Sequence, residues 1–259
     1  MLYNQTVNLK YKGFKNIKRL MNKNTNQKEI KLWDYQWQQF SKNIFFKPNI
    51  KVTNEIINLF SGKVFKLKVL EVGAGSGSDC ITLAKKGAEV SALDFSKNAL
   101  EVYQQLAKNK GIKIKKILAD CQKIPIQDNY FDLVFSVGLI EHFKNPVPVI
   151  QEQLRVLKRG GFLVIDVPQT YNPYTIVKHV RMVLNIHPFG WETEYSLKKL
   201  KKLAEILKIK PICFYGRDSA FINRLPKLVD LCWRKIFAKI EKSKLAPFVC
   251  LSIGAIYKK

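Results

Sequence analysis

A glycine-rich turn and an acidic residue downstream of it are the residues whose types and spacing could hold a ligand. One extended run, Lys68–Val72, is followed by glycines at three alternate positions: Gly73, Gly75 and Gly77. A second extended run, Glu89–Leu93, leads into Asp94. Glycines let the backbone approach a ligand closely, and a carboxylate at the end of the second strand can accept two hydrogen bonds from a ribose diol. The spacing therefore predicts a nucleoside site on a strand–turn–helix–strand unit.

The order of residues within the turn distinguishes between kinds of nucleoside. A dinucleotide-binding turn carries a third glycine at the position where this chain has Ser78, and a phosphate-binding loop would need a Gly-Lys-Ser/Thr sequence that does not follow. Glu71 stands two residues before the first glycine. Its carboxylate would repel a pyrophosphate but would attract a cationic amine. The turn therefore favours a nucleoside that carries an amine.

From residue 67 onward, extended and helical patterns alternate. The candidate strands are Lys68–Val72, Glu89–Leu93, Lys113–Leu118, Phe131–Val137, Phe162–Val167, Pro211–Tyr215 and Phe248–Tyr257. The clearest helices are Asp79–Lys86, Lys97–Asn109, Val147–Leu157 and Leu197–Leu207. Such alternation predicts an α/β fold with a Rossmann-like, doubly wound, mainly parallel seven-stranded sheet. No long helix lies between the last strand pattern and the chain end, so we expect that strand to insert antiparallel.

The same pattern divides the chain into two parts. Residues 1–48 are expected to form a basic N-terminal arm and helix, and residues 49–259 the α/β domain. Within that domain we expect a cap-like insertion at about 168–195 and an additional amphipathic helix at about 224–241. In the arm, Trp33, Trp37 and Phe40 have helical spacing. They could pack in a core or form a lid over the nucleoside site.

Composition limits the class of protein. The 259 residues are 47% apolar, which fits a globular domain with a full core and excludes a disordered chain. Five cysteines without a CxxC motif, and three histidines without ligand spacing, predict neither a disulfide framework nor a metal site. They indicate a reducing compartment, so we expect a cytoplasmic protein. The longest apolar-rich stretch, Leu245–Ile256, is too short to span a bilayer.

The net charge of +25 is concentrated at the two ends of the chain, in residues 1–31 and 198–259. An excess of this kind can indicate nucleic acid, an anionic membrane surface or an acidic substrate. Only seven of the 45 basic residues are arginine, the residue best suited to bidentate phosphate recognition, so an ordinary solvated surface is the competing interpretation. Peripheral membrane association and RNA binding both stay open, and the sequence makes no prediction of oligomeric state.

Four segments in register resemble the class I S-adenosylmethionine-dependent methyltransferases, in particular the type 11 group. EVGAGSG matches the family's acidic residue and glycine turn, and ALDFS looks like its ribose-binding second strand. LADCQKIPIQDNYFDLVFSVGLIEHF and EQLRVLKRGGFLVIDVP look like its adenine-binding region and its fourth and fifth strands. The likeness covers about residues 50–170. Arg159 departs from it, because the family usually has proline in that turn.

The resemblance implies a cofactor, S-adenosyl-L-methionine, and a role for each matching residue. The glycine turn would lie against the methionyl and ribose parts, Glu71 would attract the amine, and Asp94 would hold the ribose hydroxyls. Phe95 would lie beside the adenine. Asp120 would accept from the adenine amino group, unless its carboxylate only caps a turn. The complete predicted cofactor site is Glu71, Gly73, Ala74, Gly75, Gly77, Asp94, Phe95, Asp120, Cys121, Ser136, Val137 and Gly138.

The acceptor of the methyl group is less well defined by the sequence. His142 and His187 are candidate general bases, and the insertion could line an acceptor pocket with Tyr171, Tyr174 and Trp191. A small-molecule or lipid-like acceptor is the preferred interpretation. The alternatives are an RNA methyltransferase that uses the basic ends, and a non-catalytic protein that binds membrane surfaces through the helix predicted at about 224–241.

Overall fold

The architecture was obtained as a computed structural model that describes residues 33–38, 50–172, 174–184, 192–217, 239 and 243–259. Seven strands form one sheet: β1 Lys68–Val72, β2 Glu89–Asp94, β3 Lys115–Leu118, β4 Phe131–Val137, β5 Leu157–Pro168, β6 Lys210–Arg217 and β7 Ser252–Lys258. Their order is β3-β2-β1-β4-β5-β7-β6. The first five strands pair in parallel, and β7 lies antiparallel between β5 and β6. The predicted fold class, including the antiparallel last strand, is therefore confirmed.

Eight helices of the described part flank this sheet. They are α1 (33–38), α2 Ile50–Leu59, α3 Ser78–Ala84, α4 Lys97–Lys108, α5 Val147–Val156, α6 Tyr174–Val183, α7 Leu197–Leu207 and α8 Ala246–Val249. A 3₁₀ turn, Ile140–His142, follows β4. None of the helices in the described part is long and apolar enough to cross a membrane.

The sheet has an apolar cluster on each face, because neighbouring residues of a strand point in opposite directions. In β4, Leu133 and Phe135 pack in the cluster that includes residues of α2, α3 and α4. Val134 packs in the other cluster, with residues of α5 and α7. The strands buried on both faces therefore consist of nearly continuous apolar runs, as expected for a doubly wound sheet. With both faces covered, the carboxyl ends of the parallel strands are where a ligand can bind.

The starts of two strands differ from the sequence prediction by four residues or more. β5 begins at Leu157, five residues before the predicted start, because the ladder with β4 shifts from Phe131↔Leu157 to Leu133↔Phe162. The extra residues form a bulge at Gly160, where φ is +76°. The last strand begins at Ser252, because residues Ala246–Val249 form a helical turn instead of its predicted start. The helix predicted at about 224–241, apart from Lys239, lies outside the described residues, as does most of the N-terminal arm.

Candidate cofactor and acceptor site

The turn between β1 and α3 has the conformation that its glycines were predicted to allow. Gly73, Gly75 and Gly77 have φ of +68°, +52° and +61°, a region that other residues rarely adopt. A Cβ at Gly75 would lie 2.3 Å from the indole of Trp37, and one at Gly77 would lie 2.3 Å from the ring of Tyr103. The turn therefore has neither the backbone geometry nor the space for side chains.

Asp94 joins this turn to the loop that follows β2. Its side chain is buried, and its Oδ2 accepts a hydrogen bond from the Gly75 amide at 2.8 Å. Its Oδ1 accepts from the Ser96 amide at 2.9 Å. Burial raises the pKa of Asp94, and these backbone amides oppose that effect. Asp94 thus lies at the glycine turn, where the sequence places it, and contact with a ribose stays a prediction.

A second buried carboxyl, that of Glu71, lies below the same turn. It accepts from the Cys80 amide at 3.3 Å. Burial, and then the nearby Asp79, raise the pKa of Glu71 well above its usual value. Within the described part of the chain, neither Glu71 nor Asp94 forms an ion pair. A ligand amine would supply the missing positive charge, so these residues fit a nucleoside cofactor that carries an amine and a ribose diol.

The predicted adenine-binding loop is anchored to the end of β2. The Ala119 amide donates to the Asp94 carbonyl at 3.1 Å. Asp120 is exposed, and its Oδ1 accepts from the Gln122 amide at 2.8 Å, which is the turn-capping role considered as its alternative. Cys121 is buried, and burial raises the pKa of its thiol to about 12. Phe95 is half-buried beside this loop's anchor. Adenine contacts of these residues stay predictions.

Helix α1 crosses the edge of the sheet where the predicted ligand lies. The indole of Trp37 packs on Gly75, and the Asp34 carboxylate accepts from the Ser96 hydroxyl. At the other side, the ring of Trp33 lies 5.2 Å from the imidazole of His142 in an edge-on contact at 80°. The helix therefore touches the loops after β1, β2 and β4. Of the two interpretations of its aromatic residues, these contacts support a lid.

We predict that Trp37 reports cofactor binding. Because its indole packs on the turn that must contact the cofactor, S-adenosylmethionine should change the tryptophan fluorescence in a saturable way. In a Trp37→Phe variant, we expect the amplitude to fall to less than about half, since ring packing is kept but the indole emission is lost. Phe65→Leu, which changes an exposed ring before β1, is the control and should retain the amplitude. An unchanged signal in Trp37→Phe would show that the cofactor does not reach this turn.

Four buried carboxyls lie at or just after the carboxyl ends of β4 and β5: Glu141, Asp166, Glu192 and Glu194. Three of them have a cationic partner. Arg217 Nη2 lies 2.8 Å from Asp166, and the buried Lys178 lies 3.0 Å from Glu192 and 2.7 Å from Glu194. Within the described residues, Glu141 forms no ion pair, and its Oε2 has no hydrogen-bond partner. We call these four residues the acid pocket.

Glu141 lies beside the segment predicted to close over the sulfonium. A Cβ at Gly138 would lie 3.5 Å from Glu141 Oε1, and the Thr193 amide donates to the Glu141 carbonyl at 2.9 Å. Burial, helped by Glu192 and Asp166, raises the pKa of Glu141 to about 8. A carboxyl of this kind can hold or accept a proton near neutral pH. The buried hydroxyl of Ser136, on β4, likewise has no partner in the described part.

Glu141 is not identifiable from the sequence, because the Glu141-His142 dipeptide does not show which of its side chains is buried. The predicted base His142 is half-buried under Trp33, at the same turn. His187 and Trp191 lie outside the described residues, and of Tyr174 only the backbone is described, at the start of α6. Tyr171 is exposed and lines a different groove, between α7 and α8.

Comparisons with known proteins match part of this chain to methyltransferases. Residues 70–165 match the family model of a methyltransferase domain. A sterol 4-C-methyltransferase of Caenorhabditis elegans is 34% identical over 104 residues, which are 39% of this chain and 31% of that protein. A ubiquinone biosynthesis O-methyltransferase of Yersinia pestis is 29% identical over 120 residues, which are 45% of this chain and 50% of that protein. The matches thus span a third to a half of these relatives.

Solved structures extend the likeness in fold over most of the chain. An S-adenosylmethionine-dependent methyltransferase of Thermotoga maritima superposes with a TM-score of 0.63 at 13% identity, covering 89% of this chain and 99% of that one. One from Aquifex aeolicus has a TM-score of 0.55 at 16% identity, with 86% and 97% covered. Residues 70–165 thus match a methyltransferase domain, and the fold is that of the S-adenosylmethionine-dependent methyltransferases, whose cofactor is S-adenosylmethionine.

Proposed function

We propose that the chain is an enzyme that transfers a methyl group from S-adenosylmethionine to a small-molecule, lipid-like acceptor. The observation that carries this proposal is the placement of two sites along one edge of the sheet. One is the glycine turn with Asp94 and Glu71, and the other is the acid pocket at the carboxyl ends of β4 and β5. The first fits the cofactor, and the second offers a protein group that can take a proton from an acceptor.

When bound, S-adenosylmethionine supplies a methyl group that its sulfonium already activates for in-line displacement. The chain has to orient the two reactants and exclude water. Glu71 and Asp94 would fix the amine and the ribose, and the tryptophans of α1 would cover the edge. A base is needed only if the acceptor keeps its proton. Glu141 is the residue we favour for this role, with His142 as the neighbouring alternative.

The lipid-like class of acceptor is supported by the names of two relatives. One acts on a sterol and one takes part in ubiquinone biosynthesis. The acid pocket adds a chemical requirement, because a buried carboxyl without a partner is satisfied by a hydroxyl or an ammonium group. We therefore expect an acceptor with a mainly apolar body and one such polar group at the reacting end.

The test is transfer of a labelled methyl group from S-adenosylmethionine to a cell extract separated into lipid, small-molecule and RNA fractions. We expect label in a lipid-extractable or small-molecule product, identified by mass spectrometry. A chain with Asp94→Ala serves as the matched blank, because it removes the ribose contact and leaves the rest of the surface intact. Label only in RNA would contradict the proposed acceptor, and absence of label in every fraction would contradict the proposed activity.

A further inference from the structure

Helix α6 exposes an apolar face and buries a charged residue, which is the reverse of a normal surface helix. Its inner face buries Thr175 and Lys178. Its outer face carries Ile176, Val180 and Val183, which are 70%, 53% and 81% exposed, and Leu184 directly after the helix is exposed as well. These positions are four and three residues apart, so they form a single apolar stripe. A helix in water is expected to bury this stripe and expose the lysine.

The orientation of α6 is fixed by its buried contacts. Lys178 lies between Glu192 and Glu194, at 3.0 and 2.7 Å, and the next residue, His179, contacts Glu194 at 2.9 Å. Rotating the helix to bury the apolar stripe would separate the buried Lys178 from both of these buried carboxylates. Such a loss is strongly unfavourable. The outer stripe is therefore held in an exposed position by the acid pocket.

A groove next to the start of α6 combines apolar and basic groups. It has a volume of about 590 Å³, and its walls include Tyr171, Leu197 and Phe248 together with three lysines of α7: Lys198, Lys201 and Lys202. Leu245 and Val249, at the two ends of α8, are exposed beside Phe248. Aliphatic and aromatic side chains next to clustered lysines are typical of surfaces that insert into the headgroup region of anionic membranes.

We propose that the outer stripe of α6 and this groove form a docking surface for an anionic lipid membrane. Charge favours this occupant over a second copy of the chain, since two chains of net charge +25 would bring their lysines together. RNA would pair with the lysines but would leave the aliphatic stripe in water. Lysines with long apolar stems can reach lipid phosphates while the stripe lies among the acyl chains.

The placement of this surface also relates it to the proposed reaction. The inner face of α6 borders the acid pocket, and the outer face would meet the membrane. A lipid-like acceptor could then pass from the bilayer to the acid pocket beside the same helix. This relation depends on the proposed function, whereas the docking surface itself does not. Membrane binding can therefore be tested without any measurement of methyl transfer.

The experiment is co-sedimentation of the full chain with vesicles of phosphatidylcholine, with and without phosphatidylglycerol. We expect binding to the anionic vesicles that weakens as salt is raised. The double substitution Ile176→Glu with Val180→Glu should reduce the partition coefficient at least about tenfold, because it removes apolar contact and adds charge. Lys198→Ala with Lys201→Ala should reduce it by a similar factor.

Two matched controls lie at the opposite edge of the sheet. Phe65→Glu replaces a side chain that is 69% exposed just before β1, and Lys85→Ala with Lys86→Ala removes two exposed lysines after α3. Both should bind the vesicles as the unchanged chain does. The α6 variant should also keep the unfolding temperature, since glutamate favours an exposed helix more than isoleucine or valine does.

Four results would overturn the proposal. The first is equal binding of the unchanged chain to vesicles with and without phosphatidylglycerol. The second is vesicle binding that the α6 variant retains. The third is a lowered unfolding temperature of that variant, which would show that the stripe packs against the protein itself. The fourth is retention of transfer RNA at low salt without any vesicle binding, which would assign the lysines to RNA.

Discussion

Replacing Asp94 with alanine is expected to weaken the binding of S-adenosylmethionine at least about a hundredfold. A hydrogen bond to a charged acceptor contributes about 1.5–3 kcal/mol, and a ribose diol donates two of them to one carboxylate. The substitution also leaves the amides of Gly75 and Ser96 without their acceptor, so the glycine turn loses the contact that positions it. Titration calorimetry with the purified chain measures the effect directly.

Substitution of a second aspartate, Asp128, serves as the control that separates this effect from a general loss of negative charge. Asp128 is exposed and pairs with Arg155 at 2.7 Å, away from the edge of the sheet. Asp128→Ala should leave cofactor affinity within a factor of about two, as expected for a screened surface pair. Circular dichroism and thermal unfolding show whether Asp94→Ala still folds. If the folded Asp94→Ala chain binds the cofactor as tightly as the original, the assignment of the ribose site is wrong.

The parts of the fold that could be predicted from sequence are those coded by local patterns. The glycines at alternate positions require positive φ, and the structure has it at all three. Val134 and its neighbours Leu133 and Phe135 form an apolar run that predicts a strand buried on both faces, and the two clusters confirm it. The antiparallel last strand was expected because no long helix lies between it and the chain end, and its pairing with β5 confirms that direction.

The parts that could not be predicted depend on contacts between distant segments. Glu141 is buried because residues 192–195 lie against it, with the Thr193 amide on its carbonyl. Nothing near Glu141 in the sequence indicates that contact. The same holds for α6, whose residues suggest an ordinary amphipathic helix with lysine and histidine outside. Its orientation is determined by Glu192 and Glu194, which follow more than ten residues later and pair with Lys178.

The two buried acidic groups of the site differ in what they require from a ligand. At the glycine turn, burial raises the pKa of Glu71, the nearby Asp79 and Asp94 raise it further, and a bound amine would stabilise Glu71 and Asp94 as carboxylates. In the acid pocket, Lys178 and Arg217 already pair with three carboxylates. Of the four carboxyls, Glu141 alone forms no ion pair in the described part of the chain, which makes it the most informative residue to substitute.

Replacing Glu141 with glutamine is expected to lower the methyl-transfer rate about a hundredfold, the smaller end of the range for loss of a general base. Affinity for S-adenosylmethionine should stay within a factor of about three, because Glu141 lies beyond the cofactor's predicted position. In the unchanged enzyme, kcat/KM should rise with pH through the pKa of about 8, as the carboxyl loses its proton. The variant should lack that rise, and the exposed Glu101→Gln should retain it.

The pH dependence of the free energy of unfolding tests the raised pKa of Glu141, and it can be measured without knowing the acceptor. Because folding raises the pKa of Glu141 from about 4.5 to about 8, the folded state holds a proton that the unfolded state has released in this range. The contribution of Glu141 to the free energy of unfolding is therefore fully present below about pH 4.5 and is lost as the pH rises through 8. Glutamine keeps the neutral form at every pH.

Urea unfolding should show the free energy of unfolding of the variant rising relative to that of the unchanged chain as the pH rises. The difference should grow by more than about 1 kcal/mol at about pH 8.5. Parallel curves for the two proteins would mean that Glu141 is already ionised in the folded state, and it could not then be the base whose ionisation makes kcat/KM rise near pH 8.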